Sequence, residues 1–105
     1  MSEALPGFAV IYRWRIDPAK EESFQNAWAD VTELIRDERG GLGSRLHRSA
    51  DGIWVAYAQW PSRKDWETSQ SLGPVDEKAS AIMAEAIVGR WDPILLEPVA
   101  DLLVK

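Results

Sequence analysis

Hydrophobic and polar positions alternate from Phe8 to Ile16, with Phe8, Val10, Tyr12, Trp14 and Ile16 on one side and Ala9, Ile11, Arg13 and Arg15 on the other. A period of two carried by aromatic and β-branched residues predicts a strand. The period then changes. Phe24, Ala27, Trp28, Val31, Leu34 and Ile35 recur at helical spacing, so an apolar stripe runs along one helix. Asp17-Pro18 opens it, with Asp17 as the cap and Pro18 at the first helical position, where a missing N–H costs nothing. Glu21 and Glu22 lie near the positive end of the helix dipole, and Gly40-Gly41 stops the helix. Ser44 to Ala50 predicts a short polar strand, and Asp51-Gly52 a tight hairpin. Ile53 to Trp60 predicts a third strand, apolar enough to be buried on both faces. Pro61 ends it. Ser62 and Asp65 have the spacing of a capping box and start a short helix that carries Trp66 and ends near Leu72-Gly73-Pro74. Val75, Ala79, Ile82, Met83, Ala86 and Ile87 predict a third helix over Val75 to Val88, capped by Gly89. Asp92-Pro93 is a turn, and Ile94 to Val104 predicts a last strand, interrupted at Pro98, which has no N–H for a ladder.

The order is β-α-β-β-α-β, with the second helical element split in two. Only the hairpin is a tight connection, so the helical crossovers pack on one face of a four-stranded antiparallel sheet. This is a ferredoxin-like α+β arrangement. No internal repeat or linker interrupts it, and residues 1–105 read as a single domain. The helices cover one face only, yet strands one and three are apolar on both: Ala9 and Ile11 oppose Val10 and Tyr12, while Ile53, Val55 and Tyr57 oppose Trp54, Ala56 and Ala58. A sheet apolar on both faces needs a second cover. A second copy of the chain across a two-fold axis supplies one, so a homodimer is expected.

Composition sharpens this picture in a few places. Six tryptophans (Trp14, Trp28, Trp54, Trp60, Trp66 and Trp91) exceed what one small core needs. The surplus predicts an aromatic-lined cavity or a subunit interface. A net charge of −5 argues against a nucleic-acid partner, which needs a basic face. There is no cysteine, hence no disulfide framework, thiol nucleophile or thiolate-held metal. The one histidine has no helpers at ligand spacing, so no metal site is predicted. Met1 to Gly7 lacks the features of a signal peptide, and no apolar run approaches the length of a membrane span, so a cytoplasmic location with no membrane partner is expected.

Two stretches carry a resemblance to a known family. They are Pro-x-Lys-Glu-Glu-x-Phe-x-x-x-Trp from Pro18 to Trp28 and Trp-Pro-Ser-x-x-Asp-Trp from Trp60 to Trp66. With the element order, they make the chain from Phe8 to about Val104 resemble the antibiotic biosynthesis monooxygenase (ABM) family of the dimeric α+β barrel superfamily. The resemblance implies two sheets closing into a barrel at a homodimer interface, and a hydrophobic cavity between sheet and helices. It also implies cofactor-free oxygenase chemistry on an aromatic or polyketide-type molecule, with no metal or flavin. The haem-degrading branch of the family has an Asn on the first strand, a Trp three positions beyond the aromatic matching Trp66, and a later His. This chain has Tyr12, Ser69 and no His after His47, and so departs at all three.

His47 is the only histidine and the candidate general base or proton shuttle; its plain alternative is a polar residue on a partly exposed strand, flanked by Arg45 and Arg48. Tyr12 is the second candidate catalytic residue, a donor to a substrate enolate or phenolate. Trp14, Trp54, Tyr57, Trp60 and Trp66 are the candidate substrate-binding residues, each equally able to fill core. Ala56 and Ala58, small residues between Trp54 and Trp60, leave room either for a close helix or for a ligand. Two functional readings stay open. One is a cofactor-independent monooxygenase; the other is a non-catalytic ligand-binding or structural homodimer of the same fold.

Overall fold

The computed structural model describes residues 7–104. Strand β1, Phe8–Ile16, is followed by a 3-10 turn over Pro18–Lys20, in which the Asp17 side chain accepts from the Ala19 N–H at 3.0 Å. Helix α1, Glu21–Arg39, follows directly and ends at Gly40, whose φ of 80° is the left-handed cap that glycine adopts without strain. Strands β2, Ser44–Arg48, and β3, Ile53–Trp60, form an antiparallel hairpin. It is wider than a two-residue turn would give: β2 stops at Arg48, and the Ser49 N–H donates to the Ile53 carbonyl across residues 50–52, with Gly52 at positive φ. Helix α2, Arg63–Ser71, starts where the capping box predicts, with the Ser62 hydroxyl accepting from the Asp65 N–H. The Arg39 guanidinium donates to the Ser69 and Gly73 carbonyls and ties the end of α1 to the end of α2.

Helix α3 is shorter than its apolar repeat suggests. It runs over Glu77–Ala86, with Asp76 as its cap, and passes straight into strand β4, Ile87–Arg90. The β-branched pair Ile87-Val88 favours extended backbone, and the end of β1 offers it an antiparallel edge: Ile16 pairs with Ile87, Arg15 with Gly89 and Trp14 with Arg90. Gly89 is therefore a strand residue and not a helix cap, and a Cβ there would meet the Arg15 Cβ at 3.4 Å. Strand β5, Ile94–Leu96, pairs with Ala9 to Ile11, end to end with β4 along the same edge of β1. The predicted strand from Ile94 to Val104 is thus three residues long, and 97–104 take no strand or helix conformation. The sheet has five strands instead of four, in the order β2-β3-β1-β4 with β5 also on β1. The α+β ferredoxin-like plan stands.

The helices cover one face. Trp14, Ile16, Trp54 and Ala56 of the sheet pack with Phe24 of α1 and Ala86 of α3 in one buried cluster; Phe8, Val10 and Trp60 form a second. Phe24 is completely buried and meets both Trp14 and Trp54 edge-on, with centroids 5.3 and 5.8 Å away. Tyr12 packs against both clusters and marks the gap between them.

Candidate functional site

That gap arises from β3. Ala56 and Ala58 fall on the helix-facing side between Trp54 and Trp60, and their methyl groups leave space that larger side chains would fill. Above them lies a cavity of about 400 Å³. Tyr12 and Trp14 of β1, Trp60 of β3, and Trp28, Val31 and Ile35 of α1 wall it, and Met83 and Ile87 close the α3 side. The lining is mainly apolar with a few polar groups at its margins: Thr32, Ser44, Gln59, Gln70, Ser80 and Arg90. A concave, mostly apolar pocket with a handful of placed polar atoms is what small-molecule sites look like.

Two of those polar groups are placed with some precision. Tyr12 stacks on Trp14, with centroids 5.8 Å apart and planes 2° from parallel. Its hydroxyl accepts a hydrogen bond from the Trp66 ring N–H at 2.9 Å. A phenol that accepts through one lone pair keeps its own proton to donate. Burial pushes the Tyr12 phenol above its ordinary value, against a smaller lowering by the Trp66 bond. Tyr12 is therefore a neutral donor at physiological pH and not a base. Arg90, on β4 opposite Trp14, adds a cation at the cavity and makes no ion pair among the described residues.

The predicted site residues divide between the two sheet faces. Tyr12, Trp14 and Trp60 line the cavity, and Trp66 reaches it through Tyr12. Trp54 is buried against Phe24 and does not line it. Tyr57, opposite Ile11 on one side and Arg45 on the other, falls on the outer face. So does His47, opposite Val55; it is exposed, and its Nδ1 lies 3.3 Å from the Val55 carbonyl oxygen, to which its N–H donates in that tautomer. The strand pleat separates both from the cavity, because neighbouring residues on a strand point to opposite faces. His47 borders a second, open groove along β2 with Gln25, Asn26 and Arg45.

Comparison with known proteins places this geometry in a family. The sequence model of the antibiotic biosynthesis monooxygenases matches residues 7–76. The chain belongs to the antibiotic biosynthesis monooxygenase family. Among solved structures it is similar to a monooxygenase from the ActVA-Orf6 gene of Streptomyces coelicolor, determined in complex with nanaomycin D, at 25% identity and a TM-score of 0.73, covering 95% of this chain and 94% of that one. It is also similar to SnoaB, a cofactor-independent oxygenase from Streptomyces nogalater, at 16% identity and a TM-score of 0.72, over 90% and 95% of the two chains. A third likeness is Rv0793 of Mycobacterium tuberculosis, at 22% identity and a TM-score of 0.72, over 91% and 98%. No curated protein matches the chain.

Within this ABM fold, the cavity residues that sequence reasoning missed include Trp28, Ser44, Met83, Ile87 and Arg90. Trp28 and Met83 sit in helical stripes that read as core, and a stripe does not say whether it faces side chains or a void. Arg90 could be found only by breaking the third helix at Ala86, and the Ile87-Val88 pair is the signal for that break. Among the described residues no group of three or more His, Cys, Asp or Glu is gathered for a metal, and no helix is long and apolar enough to cross a membrane.

Proposed function

We propose that this chain is a single-domain, cofactor-independent oxygenase that binds a planar aromatic molecule bearing an ionisable oxygen, and that it works as a homodimer. The observation that carries the reading is the cavity: an aromatic-walled space over an alanine floor, with a neutral phenol donor and, at its margin, an arginine that makes no ion pair among the described residues. Such donors stabilise a phenolate or enolate, and exclusion of water strengthens them. In this chemistry the substrate anion itself reduces O₂. A ring CH₂ activated as the enolate gives up its electrons, a C–O bond forms, the peroxide O–O bond breaks, and CH₂ plus O₂ becomes C=O plus water, so no outside reductant is needed. Membership of the ABM family and likeness to a cofactor-independent oxygenase support it.

A second reading has its own support. Among the described residues no carboxylate or histidine lines the cavity, so none of their side chains there is an obvious base. A ligand-binding ABM protein without turnover fits that lining equally well. Calorimetric titration with planar phenols, followed by O₂ uptake with any that bind, separates the two. Consumption of O₂, abolished together with binding by Ala58→Phe, supports the oxygenase. Tight binding without O₂ uptake supports the binding protein. Absence of binding by every planar phenol contradicts both.

The dimer is supported by what the outer face leaves uncovered. Ile11, Val55 and Tyr57 are only half-buried there, and the Arg13 Nε is buried without a hydrogen-bond partner. Beyond β5, Val99, Leu102 and Val104 are more than nine-tenths exposed (92%, 96% and 99%). A second copy is the natural cover for so much apolar surface, with an interface of roughly 2,000 Å² or more in total. Sedimentation equilibrium at micromolar concentration is expected to return twice the chain mass; a stable monomer would contradict it. A cytoplasmic location is proposed with it.

A further inference from the structure

Ser44 begins β2 and pairs with Ala58. It shares the helix-facing side of the sheet with Leu46, which packs on the Trp14–Phe24 cluster. Ser44 lines the cavity; its Oγ is shielded from solvent and has no hydrogen-bond partner, and one χ1 rotation brings it to the cavity. Buried hydroxyls are nearly always satisfied, and one that is not calls for an explanation. The fold supplies none. A strand at this position tolerates any small side chain, and a methyl group would remove the unsatisfied oxygen altogether.

The position of Ser44 across the alanine floor suggests what satisfies it. Tyr12 pairs with Ala56 on one flank of β3, and Ser44 pairs with Ala58 on the other. The two backbones are separated by two strand spacings across the sheet and two residues along it, roughly 11–12 Å. Both side chains reach inward from there. That gap is of the order spanned by two fused aromatic rings with an oxygen at each end, once a hydrogen bond is added at both. Tyr12 and Arg90 line the cavity on the β1 and β4 side of the alanine floor, and Ser44 lines it on the β2 side.

We propose that Ser44 is a specificity-determining ligand contact whose hydroxyl hydrogen-bonds an oxygen at the β2 end of a planar two-ring ligand, while Tyr12 and Arg90 take the oxygen at the other end. This rests on the cavity being a ligand site, and it adds that the preferred ligand is oxygenated at both ends. The probes are 2-naphthol, with one hydroxyl, and 2,6-dihydroxynaphthalene, with one at each end, titrated by calorimetry into the wild-type protein and Ser44→Ala. In the wild type the diol binds about tenfold tighter than 2-naphthol, the effect of satisfying one buried group. In Ser44→Ala that preference falls to about twofold or less, while 2-naphthol affinity stays within about twofold of wild type. The unfolding midpoint of the ligand-free variant is unchanged or higher, because an unsatisfied hydroxyl has been removed. A diol preference that survives in Ser44→Ala overturns the proposal and leaves the cavity reading intact. A midpoint several degrees lower also overturns it, since Ser44 would then have a structural partner. If the wild type binds neither probe, the cavity reading fails and this one falls with it.

Discussion

The two faces of the sheet are built from the same strands and differ by one residue in phase. On the helix-facing side β1 presents Phe8, Val10, Tyr12, Trp14 and Ile16, and β3 presents Trp54, Ala56, Ala58 and Trp60. That side holds both packed clusters, the cavity and its hydroxyl donors. On the outer side the same strands present Ala9, Ile11, Arg13 and Arg15, and Val55 and Tyr57; β2 adds Arg45 and His47. The outer face carries the more conspicuous chemistry: three arginines and the only histidine. Yet the concave, mainly apolar space is on the other side, where a tyrosine and a serine have more leverage than an exposed imidazole because hydrogen bonds strengthen in a lower dielectric. Position in the concave apolar pocket decides which polar groups matter here more than their intrinsic reactivity does.

The largest difference between the faces is in stability. Phe24 is the residue of α1 that joins β1 and β3 through two edge-on aromatic contacts, and Phe24→Ala is expected to cost about 3–5 kcal/mol in denaturant unfolding. A loss under about 1.5 kcal/mol would mean that the helix-facing cluster is not the main core.

Tyr12→Phe tests a polar contact on the same face. It removes the acceptor for the Trp66 N–H and is expected to cost about 1–3 kcal/mol at neutral pH, together with several-fold weaker binding of planar phenols. The pH dependence has a definite sign. Burial holds the Tyr12 pKa above its unfolded value of 10.0. The unfolded chain therefore ionises first, and the stability tied to the neutral phenol is complete below about pH 10 and lost as pH rises through the folded value. The alkaline fall in unfolding free energy should accordingly be shallower in Tyr12→Phe. An equal or steeper fall in the variant would place the alkaline sensitivity elsewhere.

The smallest effect is expected on the outer face. His47→Ala should change stability by less than about 0.5 kcal/mol and leave phenol affinity unchanged. A several-fold loss of affinity would break the separation of the two faces.

Much of this was legible in the sequence. The alternation in β1 set the phase that puts Tyr12 and Trp14 on the cavity side, and Ser62 and Asp17 capped where their spacing said they would. The end of α3 was not legible. Ile87 continues the helical stripe, and only the free edge of β1, a long-range pairing, draws it into β4. Residues 97–104 read as strand because they are apolar, but among the described residues no strand pairs with them beyond Leu96. His47 drew notice by being the only histidine, and rarity carries no information about which face of a strand a residue occupies. Arg90 and Ser44 were missed for the opposite reason: each is unremarkable in composition and gains its role from position alone.

A crystal structure of the protein with 2-naphthol bound tests the account most directly. The account predicts the rings over Ala56 and Ala58, between Trp14 and Trp60, with the ligand oxygen at the Tyr12 hydroxyl. Binding on the outer face, or in the groove beside His47 with the cavity closed by its own side chains, would contradict it.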